Sequence, residues 1–281
     1  MKKFRYSYNA LVYYKEDVAS SFARVAAAGY DAIELVGEPD RYSVDEVNNL
    51  RDEYGIAVSS ICSVWSGEER DLTHPEASVR RKAIDYGRNV ADFASAVGAP
   101  VIIVGPAPVG KVGPTSSRAE ERDWAIEGVR AIANHAASEG VDITLEAWNR
   151  YETYFINRLD QAVAFLQACE IDNGGVHGDM FHMNIEERSV ADAYKDAGAF
   201  LNHVHLADTN RAAPGYGHAD FRPVLKALDE IGFAGYLTFE LLPGSADPFR
   251  VMAEGGHQDF LDKYTNESIA RMREVEESLW G

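Results

Sequence analysis

The sequence predicts an α/β fold, a single (βα)8 barrel of the TIM type. Three observations predict it: one phrase recurs along the chain, the segments between its copies carry helical period, and the copies are short apolar runs. The phrase is a helical pattern, then Gly, then a short apolar run ending in a polar residue. It occurs as AAGYDAIEL (27–35), EYGIAVSSI (53–61), AVGAPVIIV (96–104) and SEGVDITLE (138–146). Looser copies are EIDNGGVHGD (170–179), DAGAFLNHVHL (196–206) and EIGFAGYLTFEL (230–241), each with Gly or Asn where a helix C-terminus needs a left-handed residue. The alternating Tyr/Val/Ala stretch of residues 1–14 supplies the opening strand and brings the set to eight.

Between the copies, Val79, Ala83, Tyr86, Val90, Phe93 and Val97 fall three or four apart. So do Ala125, Val129, Ile132 and Ala136, and later Phe221, Val224 (or Leu225), Leu228 and Ile231. Strands that read as apolar on both faces belong to a parallel sheet covered by helices, and eight such units close into a barrel. An open, doubly wound sheet is the competing architecture. Against it, no G-x-G-x-x-G opens a helix after a strand, and VGPAPVGKVGPTS (104–116) lacks the placement of lysine with Ser/Thr that makes a phosphate loop. That stretch reads as a long proline-limited loop. No composition break marks a boundary, so residues 1–281 read as one domain, with 243–264 a loop after the eighth strand and 265–280 the closing helix.

Composition narrows the partners. The 281 residues hold 27 Lys plus Arg against 45 Asp plus Glu, and a net charge of -18 repels phosphate backbones and anionic membranes. Neither nucleic acid nor membrane is an expected partner. No apolar window reaches transmembrane length and no signal peptide is evident, which gives the expectation of a cytoplasmic protein. Cys62 and Cys169 lie far apart among apolar residues and read as reduced core thiols.

In a barrel of this kind the chemistry sits at the C-terminal strand ends, and four residues stand there: Glu146, Asp179, His205 and Glu240. Neighbouring strands are about 4.8 Å apart, so four groups at one level on consecutive strands can converge on a point. Any one of these acids could be no more than an N-cap or a surface group. Together, three buried carboxylates without a cation would cost several kcal/mol each, which makes a divalent metal site the economical reading. Oxygen-rich ligation with one imidazole suits Mn²⁺, Co²⁺, Fe²⁺ or Mg²⁺ better than structural Zn²⁺. His203 and His177, two before His205 and Asp179, share their strand faces and read as satisfied structural histidines, His203 also as a hydrogen-bond partner of the site.

LEAWNRYE (145–152), GDMFHMNIEE (178–187), HVHLADTNR (203–211), GHADF (217–221) and TFEL (238–241) together resemble the xylose-isomerase-like TIM barrels, and in particular the ketose 3-epimerases of the D-tagatose and D-psicose (allulose) type. The metal-site residues are shared widely in that superfamily, whereas E-x-x-N-R-[FY]-E and D-x-F-H-M-N-I-E-E are narrower. The resemblance implies that Glu146, Asp179, His205 and Glu240 bind one divalent ion, Mn²⁺ first with Co²⁺ or Mg²⁺ as alternatives. It also implies that Glu146 and Glu240 form the acid/base pair, that Glu152, His182 and Arg211 hold a sugar substrate, and that Glu34 lies at the site's edge. Without the motif, Glu152 and Arg211 would read as solvated loop charges. Dimers and tetramers are common in the family, so a homodimer or homotetramer is the implied assembly.

The chemistry is physically coherent. A proton on carbon next to a ketone becomes removable when the developing negative charge is stabilised by a cation, and two carboxylates on opposite faces then remove and return it with inversion. Departures from the pattern are Trp148, where a smaller apolar residue is usual, and the loop after the fourth strand, which lacks aromatic residues. Tyr6, Tyr8, Trp65 and Phe181 are candidate hydrophobic walls. Competing outcomes of the same chemistry are aldose–ketose isomerisation and a lyase reaction, either inosose-type dehydration or cleavage of a 3-oxo C-glycoside. A non-catalytic sugar-binding barrel is disfavoured because both candidate bases are present, and an endonuclease by the acidic balance and by too few strand-end histidines.

Overall fold

A computed structural model describes residues 3–281; Met1 and Lys2, part of the stretch assigned to the opening strand, lie outside the described residues. The elements alternate as β1 (Arg5–Asn9), α1 (Val18–Ala27), β2 (Ala32–Gly37), α2 (Val44–Tyr54), β3 (Ala57–Ser63), α3 (Ala77–Val97), β4 (Val101–Val104), α4 (Arg118–Ser138), β5 (Asp142–Glu146), α5 (Leu159–Cys169) and β6 (Gly174–Asp179). They continue as α6 (Met180–Glu186), α7 (Val190–Ala197), β7 (Leu201–Leu206), α8 (Phe221–Glu230), β8 (Tyr236–Phe239), α9 (Pro248–Ala253) and α10 (Asp262–Trp280). All eight strands pair in parallel, in chain order, and β8 returns to β1 through Arg5↔Tyr236 to Tyr8↔Phe239, which closes the barrel. Among the described residues no helix is long and apolar enough to cross a membrane.

Local chemistry explains the boundaries. Gly55 and Gly98 end α2 and α3 at φ 65° and 71°, where a side chain would be strained. Ser117 and Glu120 form a reciprocal capping box that starts α4 after the proline-limited loop. Two details differ from the sequence reading. The segment after β8 contains the short helix α9, started by Pro248, and the closing helix begins at Asp262, not at residue 265. After β6 the chain forms two helices instead of one, because Asp179 caps α6 and Ser189 caps α7.

Apart from β4 (VIIV), the strands are not apolar on both faces, which corrects the expectation. Their outer faces are apolar and pack on the helices: Phe239 stacks on Tyr6 at 5.9 Å, and Tyr8 stacks on Tyr13 at 5.4 Å. Their inner faces are polar and tied across the lumen, as in the Ser7–Ser59 hydroxyl pair and the contact of Asn9 with Glu240. Tyr6 and Tyr8 therefore belong to the layer between sheet and helices. The Tyr6 hydroxyl reaches Glu276 of α10 and the Tyr8 hydroxyl donates to the Phe260 carbonyl, so neither is a wall of the site. Trp65 is also packing, since its Nε1 donates to the Ile103 carbonyl and its ring meets Tyr86 edge-on. Each such ring contributes roughly 1.5–3 kcal/mol by burial. Cys62 and Cys169 are buried and unpaired.

Candidate active site

The C-terminal rim gathers the groups that the strand ends promised. One ligand atom each of Glu146 (end of β5), His177 and Asp179 (β6) and His205 (β7) lies within 4.8 Å of the others, all four residues buried. Glu240, the residue after β8, joins them through its Oε2, 3.0 Å from His205 Nδ1. Its Oε1 accepts from Asn9 Nδ2 at 3.3 Å and faces Cys62 Sγ at 3.7 Å, which places that core thiol at the site.

Asp179 divides its two oxygens between fold and site. Oδ1 accepts the Phe181 and His182 backbone N–H groups and caps α6. Oδ2 is left for Arg211 Nη1 at 2.6 Å, His205 Nδ1 at 3.6 Å and His182 Nε2 at 3.9 Å. The cap reading of this residue is thus realised by Oδ1, while Oδ2 faces the rim cluster. His182, in the first turn of α6, accepts at Nδ1 from the Asn149 side chain at 2.8 Å, which leaves Nε2 carrying the proton and pointing at Glu146 Oε1, 3.7 Å away. Asn149 also donates to Glu152 Oε1 at 2.8 Å, so the loop after β5 carries Glu152 to the rim beside His182.

Arg211 is the least expected in conformation. It has φ 65°, unusual for a residue with a side chain, and its guanidinium is buried. Nη1 binds Asp179, Nη2 binds Glu240, and the group lies 4.8 Å over the Phe181 ring. A solvated loop charge is thereby excluded, and Phe181 alone of the four candidate walls lines the site. The loop is held by Asp208, whose carboxylate accepts from the backbone N–H groups of Thr209, Gly215 and Ala219 at 2.7 to 3.0 Å. Asp208 was not singled out in the sequence; a lone Asp in a loop carries no signal until the turn is known.

Three further placements correct the sequence reading. Glu34 is not at the edge: it is fully buried within β2, under the rim, where it meets His203, His205 and Ser60. His177 is not satisfied, since among the described residues neither ring nitrogen has a hydrogen-bond partner and Nδ1 stands 3.6 Å from Glu146 Oε2. Trp148 is accommodated by Gly105 at the end of β4, where an added Cβ would stand 1.9 Å from the indole. The large residue in the β5 motif is thus matched by a missing side chain in the neighbouring loop.

The electrostatics separate the carboxyls. Burial, together with Glu240 and Asp179, pushes Glu146 well above the ordinary carboxylate range. Burial would raise Asp179 too, but Arg211 and His182 outweigh it and hold it well below. For His205, burial opposes the charged ring, yet Glu34 and Glu240 prevail and lift it well above the usual histidine range. Burial keeps His177, His182 and His203 on the neutral side. Beside the partnerless His177 ring, the carboxylate oxygens of Glu146, Asp179 and Glu240 and the Nδ1 of His205 form a donor set compatible with a divalent cation.

A closed parallel barrel with such an acid–imidazole centre at its C-terminal rim defines a class, the (βα)8 barrels whose rim carries a cluster compatible with a metal site. Within that class the chain belongs to the xylose isomerase-like TIM barrel family, whose model matches residues 22–273. It is 27% identical over 263 residues to a D-psicose 3-epimerase of Ruminiclostridium cellulolyticum, covering 90% of each chain. It is 31% identical over 245 residues to an L-ribulose 3-epimerase of Methylomonas sp., covering 85% of each. The crystal structure of D-allulose 3-epimerase from Methylomonas sp. in complex with D-allulose superimposes with a TM-score of 0.85 at 28% identity over 98% of both chains. Relatives at this level over most of the chain are sugar epimerases, that is, isomerases.

Proposed function

We propose that this chain is a divalent-metal-dependent epimerase that inverts carbon 3 of a free ketose. The observation that carries the reading is the convergence of Glu146 and Glu240 on one buried centre with Asp179 and His205. Glu146, Asp179, His205 and Glu240 are the residues that would hold the cation, Mn²⁺ by the oxygen-rich donor set, with Co²⁺ or Mg²⁺ as alternatives. Its chemistry, when bound, is stabilisation of negative charge on the carbonyl oxygen. The protein's own groups do the rest. Glu240, ion-paired with Arg211, is suited to take the carbon-bound proton, and Glu146 is the carboxyl that would return one to the other face. In the reverse direction the roles exchange. His182 Nε2 and Arg211 are buried donors for substrate oxygens, and Glu152 is a half-buried acceptor at the rim. Phe181 supplies an apolar wall beside them.

Inversion, not elimination or carbonyl transposition, is supported by the epimerase names of the relatives above. The test is to incubate the Mn²⁺-loaded protein with a panel of free and substituted ketoses in deuterated water. A C-3 epimer carrying deuterium at carbon 3 is the expected product. An aldose, a dehydrated sugar or a released aglycone would overturn the reading.

A further inference from the structure

Below the rim lies a buried polar group that the proposed chemistry does not use. Glu34 of β2 has no exposed surface and sits between apolar Ile33 and Leu35, which point the other way into the helix layer. Its carboxylate reaches across the lumen to β7. Oε1 meets His205 Nε2 at 2.8 Å, while Oε2 meets His203 Nε2 at 2.8 Å and accepts from Ser60 Oγ at 2.5 Å. A carboxylate only accepts, so both imidazoles must carry a proton on Nε2. The consequence for His205 is specific. Its other nitrogen, Nδ1, is the one turned to Glu240 Oε2 at 3.0 Å and Asp179 Oδ2 at 3.6 Å.

We propose that Glu34 is a positioning residue: by accepting from His205 Nε2 it fixes the tautomer and the ring plane that present Nδ1 as the metal-binding atom. The inference rests on the reading of the rim as a divalent-cation site and adds to it which nitrogen binds and what aims it. His203 and Ser60 hold the other oxygen of the same carboxylate, so it cannot turn away from His205. An uncharged carboxamide at position 34 would break this logic. It offers one acceptor and one donor to two imidazoles, and wherever the donor falls, that histidine must move its proton to Nδ1. On His205 the proton would then sit on the ligating atom. Supporting carboxylates of this kind are worth 10- to 100-fold in metal affinity.

Two measurements test it, neither of them turnover. In the wild-type protein, labelled with ¹⁵N-histidine and loaded with ¹¹³Cd²⁺, the metal is expected to couple to Nδ1 of His205; coupling to Nε2 overturns the proposal. In Glu34→Gln, calorimetric titration with Mn²⁺ is expected to show affinity about 10- to 100-fold weaker, with metal-free melting close to wild type. A folded variant with wild-type affinity overturns it too. If Glu34→Gln does not fold, the wild-type coupling decides alone. A wild-type protein that takes up neither Cd²⁺ nor Mn²⁺ sinks the cation reading and this inference with it, an outcome distinct from binding through the wrong nitrogen.

Discussion

At the scale of single residues, the proposed function separates groups that would hold the ion from groups that would move a proton. Asp179 has only one oxygen free, the other being committed to capping α6, and it is assigned to binding alone. Asp179→Asn keeps the cap, because the amide oxygen still accepts, and should lose activity that excess Mn²⁺ partly restores. Glu146→Gln and Glu240→Gln should remain impaired at saturating Mn²⁺, by roughly 10² to 10⁴ in turnover, the range for a lost general base. Exchange of the carbon-3 hydrogen with solvent, assayed apart from epimer formation, distinguishes them. One glutamine variant that exchanges but cannot invert supports two bases, and normal inversion by both, with metal bound, refutes the assignment. Arg211 differs again, because its two charged contacts and its seat over Phe181 orient the site without reacting. Arg211→Ala should lower kcat/KM on the order of 10², and unchanged kinetics would make its buried position purely structural. The strand-end acids were legible in the sequence because each closes an apolar run. The placements of Glu34 and His177 were not, since which residues face each other across a lumen depends on register that no local pattern carries.

At the scale of elements, the loop between β7 and α8 shows how a backbone knot aims a functional side chain. Asp208 gathers backbone N–H groups from 209, 215 and 219, Arg211 N–H donates to the Asp208 carbonyl, and Gly217 leaves no Cβ where the carboxylate sits. This knot is what allows Arg211 its left-handed conformation. Burial would raise the Asp208 carboxyl, but the N–H groups of Ala219, Thr209, Gly217 and Gly215 hold it below its ordinary value. The sign follows from that depression: the stabilisation is complete above the unfolded-state value near 3.9 and is lost as the pH falls through the lower folded value. Asp208→Asn should therefore destabilise the protein at neutral pH by about 1–3 kcal/mol, the cost of replacing a buried acceptor, and lose less than wild type on acidification below about pH 4. Denaturant unfolding from pH 7 to pH 3 measures both. Parallel pH profiles for the two proteins would show that the carboxylate is not the knot's anchor. The helices and strands were readable because period and C-terminal glycines act locally, whereas this loop is closed by contacts up to eleven residues apart within an irregular segment.

At the scale of the whole molecule, the barrel keeps a polar lumen inside an apolar sheet-to-helix layer, and the lumen is what the sequence reading missed. Eight strands were visible as apolar runs, yet in most of them, β4 apart, alternate polar residues face an interior that ends at the rim cluster. A cation bound at the rim would have to displace the protons held there, which leads to a last prediction. Glu146 and His205 both hold protons more tightly than usual when no metal ion is bound. A group with a raised folded-state value stabilises the fold fully below its unfolded value and loses that contribution as pH rises, for Glu146 from about 4.3 upward and for His205 from about 6.5. The metal-free protein should thus lose stability between pH 6.5 and 8.5. Ligation requires both groups without their protons, so Mn²⁺ uptake should release protons and tighten with pH over the same window. At a Mn²⁺ concentration about 100 times Kd, linkage gives about 2.7 kcal/mol of stabilisation, or a rise in Tm of about 5 °C for a chain of this size. The increment should be larger at pH 8.5 than at pH 6.5, and removing the ion with EDTA should abolish both the increment and turnover. Calorimetric titrations in buffers of different ionisation enthalpy count the protons, and melting at the two pH values reads the increment. Mn²⁺ binding that releases no protons would mean that Glu146 and His205 are not the groups it displaces them from, and a Tm indifferent to Mn²⁺ at both pH values would remove the metal from the native state altogether.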